Sequence, residues 1–334
     1  MKTTITGMNR QSDRQLLDRA STSQLRGWAM ILITMHHVAQ YLHQGFTDYS
    51  WMPSYSMLTQ QLGYIGTGIF FFLSGYGMLC SLRHKSVTGT YAASKAYKLL
   101  VPYLICRLFT LAQICISGHS VNLWSYLVNV LTFHRSWFFQ VIVALYVIVL
   151  LLFRVSKNEK RNVAVVALLC LAWLPAAYLG MGLAKWWYNS ILCFPLGMLF
   201  ALCMPIIRKH ERLVCTVAAA VCLTCLCMKL YVFRAHSIGY EILAAMGVSV
   251  VSASLFSRLT LHSKAIAFIG DKSLYFYCLQ GVVALVDCTH NFMFLSILTV
   301  AAIGLLTFVF AKIGDGGFNA LFPTPSAKES RHSL

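Results

Sequence analysis

Charge is what this 334-residue sequence has least of. Only 11% of its residues are charged and 10 are acidic, where soluble proteins average about 25% charged. That scarcity excludes a soluble globular chain. With 58% hydrophobic residues and a mean hydropathy of +0.67, the sequence reads as an integral membrane protein. Long polar stretches are missing too. Apolar runs of about 20 residues, the length that crosses a bilayer core, recur from residue 26 to residue 313 with no polar block large enough to fold separately. One membrane domain over 25–313 is therefore expected, between a polar cytoplasmic segment, 1–24, and a cytoplasmic tail, 314–334.

Tandem repeats and low-complexity tracts are also lacking. No small-residue cleavage site follows the polar first 25 residues, and the apolar run after them is of full membrane length, so a removed signal peptide is not expected. Of the 12 cysteines nearly all fall inside apolar runs, including the cluster "CLTCLCMK" (222–229). There cysteine acts as a small apolar residue. None has metal-ligand spacing with histidines nearby, and neither a disulfide nor a metal site is expected.

A lipid-facing helix is apolar nearly all round, so span length and charged or Gly/Pro punctuation must set the boundaries. Ten spans result: 26–44, 62–82, 98–117, 137–154, 162–180, 188–206, 213–232, 238–257, 273–290 and 292–313. The fold class is an all-α polytopic transmembrane bundle. The stretch 121–134 is too short to cross and reads as an interfacial or re-entrant segment. Lysine and arginine accumulate in cytoplasmic loops, and with both termini inside only Arg135, Lys185 and Arg234 of the 27 basic residues fall outside, while Arg107 and Lys229 lie within spans. The formal charge of +17 then follows from topology and anionic lipid, and nucleic acid is not a partner. Such a basic inner face also suits a polyanionic cytosolic ligand, such as a nucleotide cofactor.

Against this apolar background the first span, "LRGWAMILITMHHVAQYLHQ" (25–44), carries an arginine at its mouth and two histidines within. The eleven steps from Arg26 to His37 turn a helix by about 1100°, three turns plus about 20°, so the two share a face. His36 lies about 80° away from Arg26, whereas Gln40 and Gln44 return to within about 40°. At about 1.5 Å per residue His37 sits roughly 16 Å from Arg26, near mid-depth of a core about 30 Å thick. A lone intramembrane histidine can simply bond a neighbouring helix, with Arg26 as an interfacial anchor. The stripe favours the other reading, because ionisable groups at this depth mark pathways or catalytic sites and histidine takes a proton near neutral pH.

The second span, "GYIGTGIFFFLSGYGML" (63–79), sets five glycines around an aromatic block. Close helix packing accounts for them; a slot for a thin ligand beside bare backbone is the other reading. Arg107, at the centre of "YLICRLFTLAQ" (103–113), is costly in lipid and should face the interior. It either pairs with an acid such as Asp287 or Glu241 or lines a substrate path.

Arg26, ten residues, His37, followed by "FFFLSGYGM" (70–78), "SKAYKLLVPYL" (94–104), "HRSWFFQVIVALYV" (134–147) and "GDKSLYFYCLQGVV" (270–283), resembles the acyltransferase-3 type of membrane-bound O-acyltransferases. The likeness keeps its order from about residue 22 to residue 313. It implies an enzyme of the bacterial inner membrane that moves an acetyl or other short acyl group from cytosolic acyl-CoA, with no permanently bound cofactor. The implied acceptor is a hydroxyl of a sugar, lipid-linked glycan or polysaccharide. It also implies His37 as catalytic base and Arg26 as its donor-side partner. Lys95 and Lys98 stand where such proteins commonly show an Arg-x-x-Arg pair, so CoA phosphate binding by point charges is expected there, against an ordinary topological role. Gln280 stands where relatives often have histidine. The short stretch after residue 313 makes a stand-alone form, without a fused hydrolase-like domain, the expectation. The oxyanion donor is open among Arg107, Trp137 and Gln140. Asp48 and His134, in the outer segments 43–55 and 118–137, are the expected acceptor-side residues, with Trp137 and Arg107 beside them, although most aromatics there simply mark the membrane interface. A transporter or glycan exporter using the same stripe as a proton relay is the alternative function.

Overall fold

A computed structural model describes residues 17–45, 52–134, 136–229, 238–259, 263–280 and 292–322, with side chains omitted at 41–45, 52–58, 60, 292 and 293. Among the described residues every regular element is helical. In chain order these are α1 (Arg19–Gly45), α2 (Met52–His84), α3 (Gly89–Ile116), α4 (Leu123–Leu131), α5 (Trp137–Val155), α6 (Glu159–Pro175), α7 (Cys193–Leu202), α8 (Met204–Lys209), α9 (Glu211–Cys227), α10 (Ile238–Phe256), α11 (Lys264–Asp271), α12 (Ser273–Leu279) and α13 (Phe292–Leu321). Beyond α6 the chain continues as a π turn, Ala176–Gly180, and Lys185–Trp187 forms a 3-10 turn.

Among the described residues six helices are long and apolar enough to cross a membrane by length and composition: Gln61–His84, Gly89–Ile116, Trp137–Val155, Glu159–Gly180, Ile238–Phe256 and Phe294–Leu321. These are six of the ten expected spans. The other four differ for identifiable reasons. α1 has 27 residues but carries Arg26, His36, His37 and Gln40. α7 has 10 residues and breaks at Cys203 before α8, α9 has 17, and α12 has 7 before the chain leaves the described residues. α4, in the stretch expected to be interfacial or re-entrant, has 9 residues and leaves Leu123, Trp124 and Leu131 exposed. Exposed leucines on the long helices, including Leu108, Leu151, Leu168 and Leu305, form surfaces that water would penalise and lipid tails accept.

The chain divides into two compact units. The first comprises Met1–Ile33, Pro53–His84 and Asn158–Asp271. Bare backbone holds it together. A Cβ on Gly75 of α2 would overlap the carbonyl of Phe194, and one on Gly197 of α7 would overlap the carbonyl of Phe72. Gly66 meets Ala29 and Ile33 of α1, and Gly68 meets Ala245 and Cys193. The packing reading thus accounts for three glycines of the second span. At the end of α2 the Arg83 guanidinium grips Glu159 at the start of α6 (2.8 and 2.9 Å). Each charge there complements the dipole of its own helix end.

The second unit comprises Thr34–Met52, Lys85–Lys157 and Lys272–Leu334. Here α3, α12 and α13 pack together. The Tyr97 hydroxyl donates to the Gly314 carbonyl (3.1 Å) and occupies the space a side chain at Gly317 would need, while the Tyr275 hydroxyl lies against Gly314. Tyr103, Phe133, Phe138, Phe139 and Tyr277 form an aromatic core with ring centroids 4.9–6.2 Å apart.

Replacing Gly75 or Gly197 by Ala should lower stability by about 1–3 kcal/mol through overpacking. Gly316→Ala, with open space around it, should leave stability unchanged or raise it. Thermal unfolding of the purified protein in detergent checks the contrast.

Candidate functional site

Asp18 caps α1 by accepting from the Ser21 amide (2.7 Å), which satisfies one of the orphan donors of the first turn. Ser23 then donates to Asp271 (2.5 Å) and Gln24 to the Ser263 carbonyl (2.7 Å). Gly27 and Gly270 let α1 and α11 touch backbone to backbone, since a Cβ at either would overlap a carbonyl of the other helix. These contacts fix the first turns of α1 and with them Arg26, which is half-buried. Across from it stands Gly77 of α2, where a Cβ would lie 4.0 Å from Arg26 Nη2. At that separation even an alanine side chain would be in ordinary van der Waals contact with the guanidinium.

α1 runs unbroken from Arg19 to Gly45, so Arg26 and His37 belong to one helix, as the stripe requires. His37 is half-buried and its Nδ1 is 3.1 Å from Gln40 Oε1. With Nδ1–H donating to that oxygen, the Nε2 lone pair is left to act as a base. The His36 ring lies 5.5 Å from that of His37, tilted by 56°. One turn before His37, buried Thr34 accepts from Gln280 Nε2 (2.8 Å). Gln280 is itself buried, and among the described residues its Oε1 has no hydrogen-bond partner. The residue that departs from the usual histidine is therefore tied to the stripe's own helix. Only the in-span position of Thr34 hinted at this, because the partners are 246 residues apart.

Arg107 of α3 donates to Ser136 Oγ (2.6 Å) and to the His134 carbonyl (3.4 Å), and its guanidinium sits 5.1 Å from the Tyr103 ring centroid. The Tyr126 hydroxyl donates back to the Arg107 carbonyl (2.5 Å). Three of the expected acceptor-side residues thus come together in the second unit: Arg107, the exposed His134 and, beginning α5, Trp137 with its ring against Phe138 (6.0 Å). Gln140 Nε2 is occupied by the Thr132 carbonyl (2.7 Å). Asp48, the other acceptor-side residue, and Asp287 lie outside the described residues. Glu241, the other acid considered for Arg107, is instead bound by Lys185, Lys229 and Asn189.

Lys95 and Lys98 lie one turn apart on α3. Lys95 Nζ is 5.4 Å from the Tyr91 ring centroid, and Lys98 Nζ is 4.6 Å from that of Phe318 on α13. Nearby on the same packed helices, Lys272 pairs with Asp315 (2.5 Å). Lys95 is half-exposed and Lys98 exposed.

A family model described as an acyltransferase domain matches residues 20–313. No curated protein and no solved structure matches the chain.

Proposed function

We propose a reaction from one premise: the chain belongs to the acyltransferase-3 family, whose domain spans residues 20–313. The protein is accordingly a multi-pass membrane acyltransferase that moves groups other than amino-acyl groups. In our reading the donor is acetyl-CoA or another short acyl-CoA from the cytosol, and the acceptor is a hydroxyl of a sugar, lipid-linked glycan or polysaccharide. The site is set in a bacterial inner membrane with both chain termini on the cytoplasmic side.

The observation that carries this reading is the α1 stripe, with Arg26 and His37 on one unbroken helix and Nδ1 of His37 engaged by Gln40. A sugar hydroxyl is a weak nucleophile until a base removes its proton, and such assistance contributes about 10²–10⁴ in rate. His37 Nε2 takes the hydroxyl proton as the oxygen attacks the thioester carbonyl. The tetrahedral intermediate collapses with cleavage of the carbon–sulfur bond, and the imidazolium returns its proton to the leaving thiolate. Ester and free CoA are the products, with His37 neutral again. Arg26 supports the anionic donor at the inner end of the same stripe, and Lys95 and Lys98 add charge for the CoA phosphates.

Purified protein in lipid should transfer label from acetyl-CoA into glycan. Glycan transport without covalent labelling would instead identify an exporter. Lys95→Glu with Lys98→Glu should raise KM for acyl-CoA much more than KM for acceptor, and added salt should act in the same direction because exposed charges are screened. Unchanged donor kinetics would reduce both lysines to topological anchors.

A further inference from the structure

Within the first unit, one buried carboxylate gathers more positive charge than it can neutralise. Glu241, in the first turn of α10, is 3% exposed. Its Oε1 accepts from Lys185 Nζ (2.9 Å) and Lys229 Nζ (2.5 Å), and its Oε2 accepts from Asn189 Nδ2 (3.0 Å). Among the described residues neither lysine has another ion-pair partner.

The two lysines are not equivalent. The Lys229 side chain is 14% exposed and its ammonium also lies over the Tyr64 ring, 4.7 Å from the centroid. It already supplies the cation that a buried carboxylate requires. The Lys185 side chain is 53% exposed and an ammonium has three donors, so the bond to Glu241 leaves donors facing outward. Placing a second cation on the same oxygen costs repulsion against Lys229, a cost that an arriving anion removes. The floor beneath is rigid. Ser190 Oγ donates to the Tyr64 carbonyl (3.0 Å), and it also lies 3.1 Å from both Asn189 Oδ1 and Thr67 Oγ1. Next to Lys185 in the chain is the exposed ring of Trp186, and the exposed Tyr178 lies with its ring 6.2 Å from that of Tyr188, flat apolar faces of the kind that pack on sugar rings.

We propose that Lys185, held by the Glu241 carboxylate that Lys229 also binds, forms a binding site for an oxyanion, the phosphate or carboxylate of a hydroxyl-bearing ligand. In the topology derived from charge Lys185 faces the outer side, which makes the ligand an anionic sugar acceptor. That last identification rests on the acyltransfer reading above; the oxyanion site does not.

The test uses the full chain in nanodiscs of zwitterionic phosphatidylcholine, titrated with glucose 6-phosphate, glucuronate and glucose, with binding read by calorimetry. Both anionic probes should bind at least about tenfold more tightly than glucose, as expected for charge-assisted hydrogen bonds. Lys185→Gln should remove that advantage, and Lys185→Arg should keep most of it. Phosphatidylglycerol in the disc should weaken probe binding if a lipid headgroup is the natural source of the oxyanion and leave it unchanged if a soluble or glycan-linked anion is; either result supports the site. Anionic binding unchanged in Lys185→Gln, at an unaltered melting temperature, would overturn the proposal, as would equal affinity for glucose. Lys185-dependent binding in a protein that transfers no acyl group would leave the site standing and remove the acyltransfer reading.

Discussion

His37→Ala is expected to abolish acyl transfer, with turnover falling by about 10²–10⁴, while the protein still inserts and accumulates. The loss follows from the role proposed for the Nε2 lone pair, which no neighbour on α1 can supply from the same face. Arg26→Ala should behave similarly. His36→Ala should retain a substantial part of the activity, because adjacent residues differ by about 100° around a helix and cannot both face one reaction centre. The measurement is turnover normalised to folded membrane protein, since glycan acetylation in cells mixes catalysis with abundance. Near-normal turnover in His37→Ala combined with loss in His36→Ala would reverse the face assignment. Activity in both would remove the catalytic reading of the stripe.

The largest expected effect on stability belongs to Glu241. Glu241→Ala leaves Lys229, with a side chain 14% exposed, as a buried cation without its partner, and Asn189 loses the acceptor of its amide. Breaking a buried pair from one side costs about 3–5 kcal/mol, whereas replacing both members by apolar residues of similar size is often close to neutral. Glu241→Leu with Lys229→Met should therefore be markedly more stable than Glu241→Ala, and thermal unfolding of the purified variants checks the order. A double variant as unstable as the single one would mean that the carboxylate is held for Lys185 and Asn189, and that its pairing with Lys229 contributes little.

Several features of the candidate site were legible before any coordinates. The positions of Arg26, His37 and Gln40 follow from helical geometry alone, because three residues on one helix need no information about any other element. The short exposed helix α4 was legible for the same local reason: its run was too brief to cross. The span count was less secure. A stretch such as 188–206 is apolar enough to read as one span, yet backbone turns divide it at Cys203, between α7 and α8. Apolarity carries no record of such a break. Arg107 was expected to face the interior and to pair with an acid or line a substrate path; it is half-buried, and its partners are the Ser136 hydroxyl, the His134 carbonyl and the Tyr103 ring. Neutral acceptors of this kind leave no charge signature in a sequence.

Composition and local periodicity by themselves determined the solvent, the helical class, the glycine-rich packing of α2 and the polar stripe of α1, since each depends only on residues close together in the chain. Tertiary structure alone decided that Gln280 bonds Thr34, that Gly77 lies beside Arg26 and that two lysines share Glu241. Helices apolar on nearly every face carry no period that says which side meets which neighbour. Such contacts exist only once the helices have packed.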